Sequence, residues 1–82
     1  MCECCGFRPA TEAHHCLVHR MRGIESLDDE RNIELVCSVC HPLCNSFSHR
    51  AAFWQIQVKR YGKESMFEWL DSLPLKVKPR FL

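Results

Sequence analysis

Cys37-Ser38-Val39-Cys40-His41-Pro42 decides the reading of this chain, because it has a counterpart near the other end of the first half, Cys2-Glu3-Cys4-Cys5-Gly6. Each stretch holds two cysteines with two residues between them. A tight turn of this kind aims both thiolates at one point, and two such hooks supply the four sulfur ligands of a tetrahedral zinc ion. The competing reading is a disulfide-linked or merely cysteine-rich core. Cys4 competes for a place in the first hook, but only Cys2 and Cys5 have the two-residue interval, with Gly6 following where a tight turn belongs. Structural zinc on Cys2, Cys5, Cys37 and Cys40 is therefore expected. Cys16 and Cys44 are expected to be small buried hydrophobes, the usual fate of a free cysteine.

Length supports the same conclusion. A chain of 82 residues makes one small domain and buries too little surface to be comfortably stable without a metal, disulfides or a partner. The cysteine count of seven is odd, which with the doublet spacing favours metal ligation in a reducing compartment. Residues 1–6 hold no basic leader and no apolar run of signal length. No stretch approaches the roughly 18 apolar residues of a membrane span. A cytoplasmic protein is expected, with no membrane partner.

Outward from the hooks, residues 12–18 are compatible with a short strand, and Ile33 and Leu35 alternate with Glu34 in a second strand that returns antiparallel to it. Residues 20–29 read as a loop. Pro42 suits a first helical turn, where its missing amide hydrogen has no partner to lose, so a helix is expected from about residue 42 to 61. Phe47, Ala51, Trp54, Val58 and Tyr61 form its core-facing stripe, rather than a platform for stacking bases. Gly62 is placed to cap it. A second helix over residues 63–72 sets Met66, Phe67, Trp69, Leu70 and Leu73 against the first, and Pro74 ends it. The tail, residues 75–82, alternates apolar and basic side chains and reads equally as an arm on nucleic acid, an edge strand or a disordered end.

Net charge is +1, which excludes little, but its distribution is uneven. Residues 1–49 carry four arginines against seven acids, and residues 50–82 carry seven basic side chains against three acids. Nucleic acid would meet the second half and whatever cations the first half offers. Arg20, Arg22, Arg50, Lys59 and Arg60 are the candidate phosphate contacts, which would position a backbone without reading bases. An ordinary solvated face accounts equally well for Lys59 and Arg60.

The histidines are the candidates for chemistry, the competing reading of each one alone being a satisfied surface or core residue. His14 and His15 are adjacent on the first strand and so diverge to opposite sides, unless a bulge or a bridging phosphate brings them to one site. His41 follows a hook cysteine directly, so zinc would hold it rigidly against the strand bearing the pair. Asn32 enters the second strand, where an amide can tie two backbone segments together by donating and accepting at once.

The series Cys2-x-x-Cys5-Gly6, Pro9-Ala10-Thr11-Glu12, His14-His15, Gly23, Asp29-x-x-Asn32-Ile33-x-Leu35-Val36-Cys37-x-x-Cys40-His41 resembles the zinc-containing branch of the HNH endonucleases, small nucleases common in phages and prophages. The resemblance covers roughly residues 1–50. It implies a small zinc-stabilised α+β domain with a strand-strand-helix (ββα-metal, His-Me finger) core over residues 1–61, on which a second C-terminal helix and basic tail, residues 62–82, pack. It implies that His15 is the general base, that His14 stands where the family often has an acidic ligand of the catalytic ion, that His41 is the second ligand, and that Asn32 braces the loop and orients the base. Mg²⁺, Mn²⁺ or Ni²⁺ would complete the site, two imidazoles suiting a transition ion at least as well as Mg²⁺. DNA is then the expected partner, a homodimer would let two modules cut both strands, and a small-molecule substrate is not expected. The chain departs from the pattern in its single Gly23, in Pro42 after the ligand position and in Cys4 within the hook. The alternative is a catalytically silent zinc module that binds nucleic acid or a protein, as adaptor or inhibitor.

Overall fold

Two four-residue strands, β1 (Glu12–His15) and β2 (Ile33–Val36), pair antiparallel in the computed structural model, which describes residues 1–74. The expected arm, edge strand or disordered end over residues 75–82 lies outside the described residues. Glu12 stands opposite Val36, Ala13 opposite Leu35, His14 opposite Glu34 and His15 opposite Ile33. Because successive side chains alternate, His14 shares a face with Glu12, Glu34 and Val36, and His15 lies on the other face. The His14 face is the inner one: His14, Glu34 and Val36 are all buried.

The first strand stops at His15 rather than at residue 18, and Asn32 is the reason. The Cys16 amide still reaches a backbone carbonyl, that of Asn32, but the amides of Leu17 and Val18 turn to the Asn32 side chain instead of a strand. The segment expected to be loop contains a 3-10 turn at Glu25–Asp28, and a second follows at Glu30–Asn32. Asp29 caps the second by accepting from the Arg31 amide.

The long helix begins later than expected. Pro42 opens a separate 3-10 turn, His41–Leu43, tied to the second hook by the His41 amide donating to the Cys37 carbonyl. Helix α1 (Phe47–Tyr61) starts only after Ser46, whose hydroxyl accepts from the His49 amide and supplies the N-cap. Gly62 ends α1 with φ of +88°, a conformation that costs glycine little, and helix α2 (Lys63–Ser72) follows at once.

The expected stripe of α1 holds in part: Trp54 is buried in the core and Val58 and Tyr61 pack against it, but the fully buried face is wider than the stripe. Phe47 is 60% exposed, and the buried positions are Arg50, Phe53, Trp54 and Gln57. They keep the helical spacing, but two are polar and thus invisible to a search for apolar residues. Gln57 is affordable inside because its amide nitrogen donates to the Glu30 and Arg31 carbonyls at 3.3 and 3.1 Å. On α2, Met66 and Trp69 are buried, as is Leu73 just after it, whereas Phe67 is exposed and Leu70 partly so. They share one apolar cluster with Phe53, Trp54, Leu17, Val18 and Leu27. Trp69 also donates its ring N–H to the Ser26 carbonyl at 2.9 Å, fastening α2 to the loop. A second cluster holds Cys2, Val36, Cys37, Cys40 and Cys44. The whole is a small α+β domain, an antiparallel hairpin followed by two helices. Among the described residues no helix is long and apolar enough to cross a membrane.

Candidate functional site

The two hooks meet. The sulfurs of Cys2, Cys5, Cys37 and Cys40 all lie within 4.8 Å of one another. Zn–S bonds of about 2.3 Å in a tetrahedron set sulfurs about 3.8 Å apart, so small side-chain adjustments close this set around zinc. Gly6 takes φ of +76° and donates its amide to the Cys2 carbonyl, and the Cys4 and Cys5 amides point at the Cys2 sulfur at 3.4 and 3.5 Å. Burial opposes a charge on Cys2, but amides of Cys5, Cys37 and Cys4 outweigh it and draw its thiol down to about 6. Burial and the neighbouring thiols push Cys40 far up. Thiols this close cannot all ionise against one another, and a divalent cation among them removes the conflict. The chemistry of the donors and their spacing both fit zinc, and this is a zinc-binding domain.

Cys16 and Cys44 are fully buried, as expected. Burial raises both thiols, Cys44 to about 12.

Beside the cysteines, a cleft of about 350 Å³ runs along β1, lined by Ala13, His14, His15, His19, Arg20, His41 and Asn45. A larger hollow, about 690 Å³, is formed by residues of the 20–28 loop, Arg20 and Arg22 among them, and no histidine lines it. The four-pair ladder from Glu12 to His15 is regular, so the histidines reach the cleft from opposite faces of an unbulged strand. His14 is 4% exposed and its Nε2 donates to the Cys44 carbonyl at 3.1 Å. Burial lowers the pKa of His14, with His41, His49 and Arg50 adding to the effect against a smaller opposing pull from the Cys44 carbonyl. The His41 ring stands edge-on to it, 4.8 Å between centroids, and its Nδ1 is engaged by the Glu12 carboxylate. His15 Nε2 meets Asp28 Oδ1 at 2.8 Å. In each of His14, His15 and His41 one nitrogen is engaged by an oxygen acceptor. That selects the tautomer and leaves the other nitrogen with a lone pair.

Asn32 has no solvent exposure and uses its whole amide. Its oxygen accepts from the Leu17 and Val18 amides at 3.0 and 2.9 Å, and its nitrogen donates to the Val18 and Leu27 carbonyls at 2.9 and 2.8 Å. It thus ties the end of β1 to the loop that carries Asp28, two segments that flank His15.

The candidate phosphate contacts do not converge on one surface. Arg20 and Arg22 are exposed on the loop, and Arg20 reaches both the cleft and the neighbourhood of Asp28. Arg50 is 7% exposed, with its guanidinium 3.4 Å from His19 Nε2. Arg60 pairs with Glu3 and Gln57 in a separate hollow, and Lys59 is exposed beside it in sequence.

The sequence reading assigned no role to Glu12, Asp28, Asn45 or Glu34. Glu12 was legible in principle, two residues before His14 and so on the same strand face. Asp28 and Asn45 come from loops, where no periodicity announces a side chain's direction. Neither the known protein families, nor the curated proteins, nor the solved structures gave a match to this chain.

Proposed function

We propose that the chain is a metal-dependent endonuclease of the HNH type, hydrolysing phosphodiester bonds of DNA. The observation that carries this reading is the gathering of His14, His15 and His41 with Arg20 along one cleft, each of the three histidines held at one nitrogen. A zinc clamp alone requires none of them.

In this reading His14 and His41, whose rings stand edge-on with centroids 4.8 Å apart, would hold a divalent ion, Mg²⁺, Mn²⁺ or Ni²⁺, through the nitrogens left with lone pairs. Such an ion, when bound, supplies positive charge to the scissile phosphate and to the leaving oxygen. Burial keeps His14 neutral at pH 7, as a ligand must be. His15 takes the proton from the attacking water: Asp28 accepts from Nε2–H, so the basic nitrogen is Nδ1. Asn32 holds the strand end and the Asp28 loop together and thereby the direction of His15. Arg20 positions the phosphate. The four-cysteine site keeps His41 in register with β1, since His41 is bonded to the Cys37 carbonyl.

The test is nicking of supercoiled plasmid by the purified protein with Mg²⁺, Mn²⁺ or Ni²⁺, compared with His15→Ala. Nicking by the parent and a loss of about 100-fold or more in the variant are expected, the usual scale of a general base. Absence of nicking with every ion would leave the second reading, a silent zinc module that binds nucleic acid or protein. Equal nicking by the variant overturns the role of His15.

A further inference from the structure

Two cysteines stand beside the four-cysteine clamp without belonging to it, and the thiol of one, Cys44, donates to the Cys40 carbonyl at 3.1 Å, a contact that a metal ion would replace. Cys4 projects from the first hook, between the clamp ligands Cys2 and Cys5. Cys44 lies four residues after Cys40, and His49 is in the first turn of α1. One sulfur of each cysteine and one nitrogen of His49 lie within 4.8 Å of one another, a set that shares no residue with the clamp or with the histidine cleft. We propose that Cys4, Cys44 and His49 form a second metal site, for zinc or a similar thiophilic divalent ion.

Three features favour an ion over chance proximity. The donors are two thiols and an imidazole, the ligand chemistry of zinc rather than of Mg²⁺ or Ca²⁺. His49 Nε2 lies 2.8 and 3.1 Å from the two carboxylate oxygens of Glu34, itself 2% exposed on the inner face of β2. A carboxylate holding one nitrogen of a metal-ligating histidine is the recurrent outer-shell partner of zinc sites: it aims the ring, makes the other nitrogen basic and offsets the ion's charge. That assigns Nδ1 as the ligand atom. Finally, a carboxylate buried in this cluster needs positive charge nearby, and the ion relayed through His49 supplies it.

Such a site has a structural consequence and a chemical one. It joins three segments: the first hook, the turn after the second hook and the start of α1. The last two are where the backbone between Leu43 and Phe47 has only turn structure. With three protein ligands, and with Cys4 exposed, the fourth position opens to solvent and takes water or an added anion or thiol.

The proposal does not depend on nuclease activity, and its test does not measure it. The full chain, purified with zinc in excess and without chelator, is weighed by native mass spectrometry, and metal content is confirmed by elemental analysis. Two ions per chain are expected for the parent and one for Cys4→Ser and for His49→Gln, both of which spare the clamp and the apolar core. Substituting Co²⁺ gives the optical signature: the parent's thiolate-to-cobalt absorption contains a contribution that disappears in Cys4→Ser, leaving the four-sulfur spectrum. A parent that stops at one ion in excess zinc, or a Cys4→Ser variant that still holds two, overturns the proposal. So does a parent with one ion and a mass two units lower, which would mean that Cys4 and Cys44 had joined in a disulfide.

Discussion

At the residue scale, Asn32 bears the most structure for its size. It satisfies two amides and two carbonyls at the end of β1 and in the following loop, and removing its side chain leaves several of them buried and unpaired at about 1–3 kcal/mol each. Asn32→Leu, close in size but without the amide, should destabilise the domain by about 3 kcal/mol or more. In a domain this small that is a fall of well over 10 °C in Tm, read by thermal unfolding at saturating zinc. Asp28→Asn acts differently. Asp28 is exposed and its loss costs little stability, but it stops fixing the tautomer of His15. On the proposed nuclease reading, the nicking rate should fall by about tenfold to a hundredfold with KM and zinc content unchanged. A change in KM alone would mean that Asp28 meets the substrate and not the histidine.

At the scale of elements, the start of α1 and the turn at Asp29 are the places where local chemistry decides. Ser46→Ala removes the oxygen that caps the His49 amide and should cost about 1 kcal/mol, measured by urea unfolding. Asp29 forks onto Arg31 at 2.8 and 2.9 Å, and Arg31 in turn donates to the Ser65 carbonyl and hydroxyl on α2. The Arg31 guanidinium holds the Asp29 carboxyl below the ordinary carboxylate range, against an opposing effect of partial burial. The unfolded chain therefore binds a proton at Asp29 before the folded one does. Its contribution to stability is present above the ordinary carboxylate value and is lost as pH falls towards the depressed one. Asp29→Asn should remove that part of the acid sensitivity, so stability measured against pH falls less steeply than for the parent below about pH 4. An identical slope in both would show that Asp29 is not paired in solution.

At the scale of the molecule, the apolar core and the sulfur cluster support each other. The hairpin is only four residue pairs long, too little to stand alone, and β2 leads straight into the second hook. Cys37→Ser should therefore abolish the cooperative thermal transition, because metal binding and folding are one event in domains of this kind. Excess chelator should do the same to the parent, with recovery when zinc is restored. Cys16→Ala should leave a cooperative transition at lower temperature, since Cys16 fills core space and holds no clamp ion. Circular dichroism against temperature separates the two behaviours.

The sequence by itself determined the clamp, the order of the elements and the pairing of the hairpin, because each follows from interactions over a few residues: a two-residue interval between thiols, a period of two on a strand, a glycine after a helix. The second helix came at its expected bounds for the same reason. Where α1 begins was beyond local signals, because Pro42 fits the start of either a 3-10 turn or an α-helix, and the knuckle around Cys37 and Cys40 decided for the first. Which face of α1 is buried depended on what stood opposite it. Arg50 and Gln57 are inside only because His19 and two backbone carbonyls from distant segments receive them. The acids that hold the histidines belong to the same class. Glu12, Asp28 and Glu34 meet His41, His15 and His49 across 29, 13 and 15 positions, and no period in the chain encodes such a meeting. It is made by the tertiary fold, which brings distant carboxylates and imidazoles within hydrogen-bond reach and so decides which nitrogen of each ring is left to act.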